Sequence, residues 1–296
     1  MNDFLNEQGQ LAAADTALDA STLNVAAEAV IDESIDAVAV EQEAAVEEQP
    51  NGFVELGLAP ELVQAVADLG YTQPTAVQKK AIPLAMGEGA DENGFIDLLV
   101  SSQTGSGKTA AFLLPVLNTI LQQRAVADAE AKAEFDRLCA EAAAKGEPLP
   151  KRAKRKDPTN ARNFKAAVPG ALILCPTREL AQQVAHDAIE LVKHCRGLRV
   201  ANVVGGIPYQ LQIAKLQNAD LVVATPGRLL DLQRSMQIKL DKVQFLVVDE
   251  ADRMLDLGFS DDLAEVNQMT SQRKQTMMFS ATFAPRVQQL AMRVMH

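Results

Sequence analysis

Six apolar runs constrain the fold of this chain more than any other feature. They are 95–101, 171–175 (ALILC), 199–204 (RVANVV), 220–224 (DLVVA), 244–249 (QFLVVD) and 275–279 (QTMMF). Several are continuously apolar rather than alternating, as strands are when both faces of a parallel sheet are covered. Helix-length segments separate them; Arg178 to Cys195, for example, places apolar residues at roughly helical spacing. Strand–helix alternation predicts an α/β fold, a mostly parallel central sheet wound in right-handed crossovers with helices on both faces. In such sheets ligands gather beyond the carboxyl ends of the strands. Two more helices are expected ahead of the first strand, Pro60 to Asp68 and Thr75 to Met86, followed by a polar Gly-rich loop, Gly87 to Gly94.

The first run ends in Ser102-Gln103-Thr104-Gly105-Ser106-Gly107-Lys108-Thr109. Two glycines, a lysine and four hydroxyls follow an apolar strand here. Small residues let the backbone turn tightly and approach a ligand closely. A glycine-rich turn that opens a helix aims N–H groups and the positive end of the helix dipole at one point, and Lys108 adds a full charge there. That arrangement suits a phosphate. The strict pattern has glycine five places before Gly107, where this chain has Ser102.

A phosphate cradle needs a metal and a means of activating water before it can hydrolyse anything. Leu246-Val247-Val248-Asp249-Glu250 supplies a candidate for each. Asp249, at the strand end, can hold Mg²⁺ together with the hydroxyl of Thr109. Glu250 can address a water beyond the terminal phosphate as base or orienter.

The net charge of −11 bears on partners only through its location. Residues 1–50 hold 12 of the 39 Asp and Glu and no Lys or Arg, which leaves 27 acids against 28 bases in residues 51–296. The acidic tail, with Phe4 as its only aromatic, reads as disordered or as marginal amphipathic helix. It lacks a positive n-region and a long apolar run, so no signal peptide is expected. No segment reaches about 18 uninterrupted apolar residues, so no membrane span is expected either. Cys139, Cys175 and Cys195 show no pairing or metal spacing, which suggests idle thiols in a reducing cytoplasm. His186, His194 and His296 suggest no metal cluster.

Between the cradle helix and Ala171 lie some fifty residues that a compact unit does not need. Residues 121–145 are Ala-rich with interspersed charge and read as an exposed helix. Residues 146–170 carry Pro148, Pro150, Pro158 and Pro169 and the run Lys151-Arg152-Ala153-Lys154-Arg155-Lys156. Long irregular loops are usually functional or disordered. The basic run suits RNA phosphates and suits a solvated linker equally well.

Asp249-Glu250-Ala251-Asp252, followed by RMLDLGF, resembles the DEAD-box ATP-dependent RNA helicases, and specifically their N-terminal RecA-like domain. The resemblance runs from about Phe53 to the end, with its motifs in the family order. Gly70-Tyr71-Thr72-Gln73-Pro74-Thr75-Ala76-Val77-Gln78 is similar to the adenine-recognising Q motif, with Phe53 at the place of the isolated upstream aromatic. Pro176-Thr177-Arg178-Glu179-Leu180-Ala181 resembles motif Ia, Gly205-Gly206 the glycine doublet, Thr225-Pro226-Gly227-Arg228 motif Ib, and Ser280-Ala281-Thr282 motif III. Two departures stand out: Ala76 replaces the usual proline of the Q motif, and the insert at 121–170 is longer than usual.

The resemblance implies a P-loop NTPase with ATP and Mg²⁺ as cofactors and single-stranded RNA, held by its backbone, as partner. The implied nucleotide-binding residues are Phe53, Tyr71, Gln78, Ser102, Gln103, Thr104, Gly105, Ser106, Gly107, Lys108 and Thr109. The implied catalytic residues are Lys108, Asp249, Glu250, Asp252, Ser280 and Thr282, with Thr109 and Asp249 at the metal. The implied RNA rim is Pro176, Thr177, Arg178, Gly205, Gly206, Thr225, Pro226, Gly227 and Arg228. A Gln amide pairs with adenine N7 and its amino group, whereas guanine presents acceptors at both places, so Gln78 selects ATP. Tyr71 or Phe53 can stack on the base or pack in the core. Arg178 can hold phosphate or serve a salt bridge. Ser280 and Thr282 resemble the residues that link the nucleotide site to domain closure, with Asp252 as their partner, or they cap the helix that begins near Pro285.

With no HRxGR-type motif and no second set of strands, the chain reads as the first half of a helicase. It is expected to bind adenine nucleotide weakly and to hydrolyse it hardly at all alone. Ribonucleoprotein or RNA-degradation partners are conceivable from the family, and no membrane partner is expected. The alternative reading is a nucleotide-gated RNA clamp or assembly factor with little unwinding. A different P-loop ATPase would have to account separately for the Q motif and TPGR.

Overall fold

The structure, a computed structural model, describes residues 50–89, 94–103, 107–152 and 164–295. The acidic segment 1–49, Thr104, Gly105 and Ser106 of the cradle, and residues 153–156 of the basic run lie outside the described residues. So do the expectations made for them.

A 3-10 turn, Val54–Leu56, leads into α1 (Pro60–Asp68) and α2 (Ala76–Ala85). Then come β1 (Leu98–Ser101), α3 (Lys108–Lys145), β2 (Ala171–Leu174), α4 (Arg178–Leu191), β3 (Val200–Val203) and α5 (Tyr209–Leu216). The remainder is β4 (Leu221–Ala224), α6 (Pro226–Arg234), β5 (Phe245–Val248), α7 (Ala251–Asp256), α8 (Ser260–Met269), β6 (Gln275–Ser280) and α9 (Pro285–Val294). All six apolar runs are strands. The first is shorter than expected because Phe95–Asp97 lies outside the ladder. Phe95 packs edge-on against Phe245 with ring centroids 5.3 Å apart, and Asp97 Oδ1 accepts a hydrogen bond from the Thr276 amide at 2.6 Å.

The sheet order is β1-β6-β5-β2-β4-β3, and every neighbouring pair is parallel. Successive strand residues point to opposite faces, so each apolar run builds two cores. Ile173, Val223, Val247, Met277 and Phe279 join one that is covered by α1, α2, α3 and α4. Leu172, Leu174, Val222, Val248 and Met278 join the other, under α6, α7, α8 and α9. Parallel pairing sends every carboxyl end to the same edge, which places all the motif loops there. Those after β1, β6 and β5 are neighbours, and those after β2, β4 and β3 form the adjoining half.

The helix expected over 121–145 is the outer part of a single helix, α3. Pro115 lies inside it and lacks an amide to donate, yet the helix continues, with Thr119 Oγ1 bonding the Pro115 carbonyl at 3.0 Å. Beyond Pro115 no glycine or proline interrupts the run until Gly146, which closes the helix in the left-handed conformation at φ 70°. Arg137 braces the exposed half with ion pairs of 2.6 Å to both Glu134 and Glu141. At 1.5 Å per residue the helix is about 57 Å long, and its second half is exposed. Arg152 returns over the Phe135 ring at 5.1 Å.

The first turns of α3 are fixed to the sheet by Phe112, fully buried and edge-on to Phe279 of β6 at 5.2 Å. Truncating such a ring removes its transfer energy and leaves a cavity. Phe279→Ala is therefore expected to cost about 3–5 kcal/mol in urea unfolding, enough to threaten folding of the whole unit. A loss below about 1 kcal/mol would show that this pair does not carry the α3–sheet packing.

Candidate functional site

The carboxyl ends of β1 and β5 bring Lys108 and Asp249 together across the intervening β6. Lys108 Nζ lies 3.0 Å from Asp249 Oδ1 and 3.2 Å from Glu250 Oε1. Asp249 is completely buried, and among the described residues neither of its carboxylate oxygens has an aligned side-chain hydrogen-bond donor. Its contact with Lys108 is a close ion pair, and the Glu250 backbone amide adds a weaker attraction to the carboxylate. Burial pushes the Asp249 carboxyl up against the attraction of Lys108. Burial also opposes the charge on Lys108, but the two carboxylates outweigh it and hold the ammonium above its usual value. The two partners thus pull in different senses: the carboxylates secure the lysine as a cation, while burial works against the charge on Asp249.

Glu250 sits at the turn from β5 into α7 with φ 50° and ψ 55°, left-handed for a residue with a side chain. Such strain persists where the surroundings enforce it, typically at functional sites. It turns the Glu250 carboxylate back toward Lys108, one residue after Asp249 has pointed inward. At the end of β6, Ser280 Oγ donates to the Thr282 carbonyl at 2.8 Å, and Thr282 Oγ1 donates to Asp252 Oδ2 at 3.3 Å. Asp252 therefore partners Thr282 and not Ser280. Neither hydroxyl caps α9, whose N-cap is Ala284.

Gln78 occupies the wall of a cleft of about 520 Å³ whose floor is Gly107, Lys108 and Thr109. The amide is already partly engaged. Its Oε1 accepts from the Thr75 amide at 3.0 Å while Thr75 Oγ1 accepts from the Gln78 amide at 3.3 Å, a reciprocal cap on α2. Its Nε2 donates to the Gly107 carbonyl at 3.0 Å. One N–H and one lone pair remain, the minimum an adenine edge needs. Both candidate aromatics line the same cleft: Phe53 is 2% exposed and built into the wall, whereas Tyr71 is 59% exposed. The opposite wall is the polar side of α4, with His186, Asp187 and Glu190. No motif named these three, because a helical period does not say which cleft its polar face borders. Ser102, Gln103 and Thr109 flank positions 104–106 in the chain, and Ser102 Oγ is buried without a partner among the described residues.

The other loops align along the second half of the edge. Thr177 caps α4, its Oγ1 accepting from the Leu180 amide at 3.3 Å. Arg178 is exposed, with only a loose 3.7 Å approach to Glu179. Its guanidinium lies over Gly206, where an added Cβ would stand 2.6 Å from Nη1. Thr225, Pro226 and Gly227 open α6, with Pro226 in the first turn. Pro176 and Gly205 complete the line. Arg228 is not simply presented outward: Nη1 donates to the Ile207 carbonyl at 3.1 Å and to Gln212 Oε1 at 2.9 Å.

This fold and site define a P-loop NTPase-type α/β domain of the RecA kind. A sequence model of the DEAD/DEAH box helicase family matches residues 75–290. The chain belongs to that family. It is 39% identical over 231 residues to the ATP-dependent RNA helicase SrmB of Escherichia coli, covering 78% of this chain and 42% of that protein. It is 39% identical over 246 residues to DEAD-box ATP-dependent RNA helicase 52A of Oryza sativa, covering 81% of this chain and 35% of that protein. A crystal structure of a DEAD box protein from Methanococcus jannaschii superposes with a TM-score of 0.60 at 30% identity, covering 82% of this chain and 53% of that one. The chain thus spans well under half the length of these curated relatives.

Gly107 tests the cradle geometry. Its φ is 80°, and an added Cβ would stand 2.6 Å from Gln78 Nε2 and 3.0 Å from Thr75 Oγ1. Gly107→Ala is expected to cost about 1–2 kcal/mol in urea unfolding from the left-handed backbone alone, and to weaken adenine-nucleotide binding further. Wild-type stability and affinity in this variant would contradict the wedged contact.

Proposed function

We propose that this chain is the N-terminal RecA-like half of an ATP-dependent RNA helicase, binding ATP at Lys108 and the backbone of single-stranded RNA on the rim from Pro176 to Arg228. The supporting observation is the 3.0 Å approach of Lys108, which follows β1, to the buried Asp249 at the end of β5. Arriving phosphates draw Lys108 away from the two carboxylates. Backbone amides at the start of α3 face the same anion. In the cleft, Tyr71 offers a free ring face to the base, Phe53 backs it, and Gln78 reads the adenine edge.

Mg²⁺ fits this site. Asp249 has an orphaned buried carboxylate that burial makes hungry for positive charge, and Thr109 stands on the first turn of α3. Among the described residues no group of three or more His, Cys, Asp and Glu could form a protein cage. That is how this ion is usually held, by one or two protein ligands with phosphate oxygens and waters. When bound it neutralises charge building up on the transferring phosphoryl group. Glu250, held toward the same space by its strained backbone, orients the attacking water. The Thr282–Asp252 bond connects this chemistry to the β6 loop, through which closure against a second domain is sensed.

The rim contributes hydroxyls, glycine amides and two guanidinium groups, which suit phosphate and sugar rather than base edges. Closure on ATP and RNA together bends one strand and expels its partner, so separation is local.

The test is ATP turnover with and without RNA, in this chain and in the chain joined to a second RecA-like domain. The chain alone is expected to turn over slowly, with RNA stimulation appearing only in the two-domain form. An arginine reaching the phosphates from a second domain is worth about 10³–10⁵ in rate in related phosphoryl-transfer enzymes. In the two-domain form Glu250→Gln is expected to keep nucleotide binding and abolish turnover. Robust RNA-stimulated turnover by the single chain, or a fully active Glu250→Gln form, would contradict the proposal.

A further inference from the structure

Gln212 belongs to none of the motifs, yet it is 1% exposed and joins two of them. Its Nε2 donates to the carbonyl of Val204, the residue immediately before Gly205-Gly206, and its Oε1 accepts from Arg228 Nη1 at 2.9 Å. Arg228 Nη1 also donates to the Ile207 carbonyl at 3.1 Å, on the far side of the same glycines. The guanidinium lies 5.4 Å from the centre of the Tyr209 ring. The Tyr209 hydroxyl is anchored in turn, donating to the Asp231 carbonyl at 3.1 Å and lying 2.7 Å from Ser235 Oγ. α5, the glycine loop and α6 are thereby closed into one ring, with Gln212 at its centre.

The hydrogen bonds of Arg228 all run through one nitrogen. Nη1 spends its two hydrogens on Ile207 and Gln212, so Nε and Nη2, with three N–H donors, have no partner among the described residues. Arg228 is only half-buried. A guanidinium pinned at one corner and unspent along the opposite edge is a fork with its direction set in advance, and such a fork matches phosphate oxygens. Beside it a Cβ on Gly205 would meet nothing within 4 Å, so its backbone is open to a ligand, while Gly206, with φ 80°, lies under the Arg178 guanidinium.

We propose that Gln212 is a positioning residue that aligns the free edge of Arg228 with the Gly205-Gly206 backbone, so that both meet one stretch of phosphodiester chain. This rests on the RNA reading given above. Gln212 itself touches no RNA. It acts by fixing a flexible arginine before binding, which removes an ordering cost from association.

The test uses the full 296-residue chain, a fluorescein-labelled oligouridylate of about 12 nucleotides at several salt concentrations, and a fluorescent ADP analogue as control. Gln212→Met keeps volume and removes both hydrogen bonds. It is expected to weaken RNA binding about tenfold, as loss of an oriented charged hydrogen bond does, and to lower the salt slope by about 0.7, one phosphate contact on a single strand. ADP affinity is expected to stay within about twofold of wild type, since the ring touches no nucleotide-cleft residue. Arg228→Ala is expected to match Gln212→Met, and the double variant to be no weaker than Arg228→Ala alone. Arg228→Lys keeps the charge without the fork and is expected to behave like Gln212→Met, which tests the idea even where Gln212→Met fails to fold.

Wild-type binding together with normal RNA affinity in Gln212→Met or Arg228→Lys, or losses that multiply in the double variant, would overturn this proposal and leave the RNA reading standing. Absence of RNA binding by the wild-type chain would remove the RNA reading, and this proposal with it.

Discussion

The structure depends on burying the carboxylate of Asp249 at a strand end against the ammonium of Lys108, 3.0 Å away. A fully buried carboxylate without aligned donors is costly, and removing its cation would cost more, because a lone buried charge has nothing to offset it. The sheet bears that cost because β5 is flanked by β2 and β6 and its apolar residues fill both cores. The pair is therefore best seen as a held state. The lysine waits on the carboxylates, and in the proposed function a polyphosphate with its metal would replace the lysine on Asp249 while taking the lysine for itself.

The division of labour along the sheet edge follows from strand order. β1, β6 and β5 are adjacent, so the phosphate cradle, the Ser280–Thr282 loop and the Asp249–Asp252 segment share one space. β2, β4 and β3 are adjacent, so the remaining loops form one continuous rim. Parallel pairing sends all six loops to the same side. The junction between the halves is β5 beside β2, where Cys175 lies close enough to Asp249 and Glu250 for burial first, and their charges second, to hold its thiol up and unreactive. The two halves are thus mechanically continuous, with the Asp249 backbone amide donating to the Leu174 carbonyl of β2 at 2.9 Å.

Much of this was legible in the sequence, for physical reasons. A strand covered on both faces must be apolar throughout, so ALILC and DLVVA announce themselves. The lysine and aspartate stand at strand ends that parallel pairing has to bring to one edge. Other features could not be read this way. The pinning of Arg228 depends on α5 folding back over the glycine loop, and nothing in TPGR encodes that. His186, Asp187 and Glu190 face the cleft because of how α4 packs beside α3, which helical spacing leaves undetermined. α3 outruns its expected length because an Ala-rich stretch without glycine or proline continues a helix as readily as it begins one. Thr75-Ala76-Val77-Gln78 is a helix-capping pattern in its own right. Read only for its adenine chemistry, it hides the structural use of the same amide.

The most direct test of the central claim is a titration of a non-hydrolysable ATP analogue into this chain with and without Mg²⁺, for wild type and Asp249→Asn. Asp249→Asn keeps the shape and removes the charge. The account expects Mg²⁺ to tighten binding to wild type and to have little effect on the variant. Equal Mg²⁺ dependence in both would show that the carboxylate facing Lys108 is not where the metal-bound nucleotide is held.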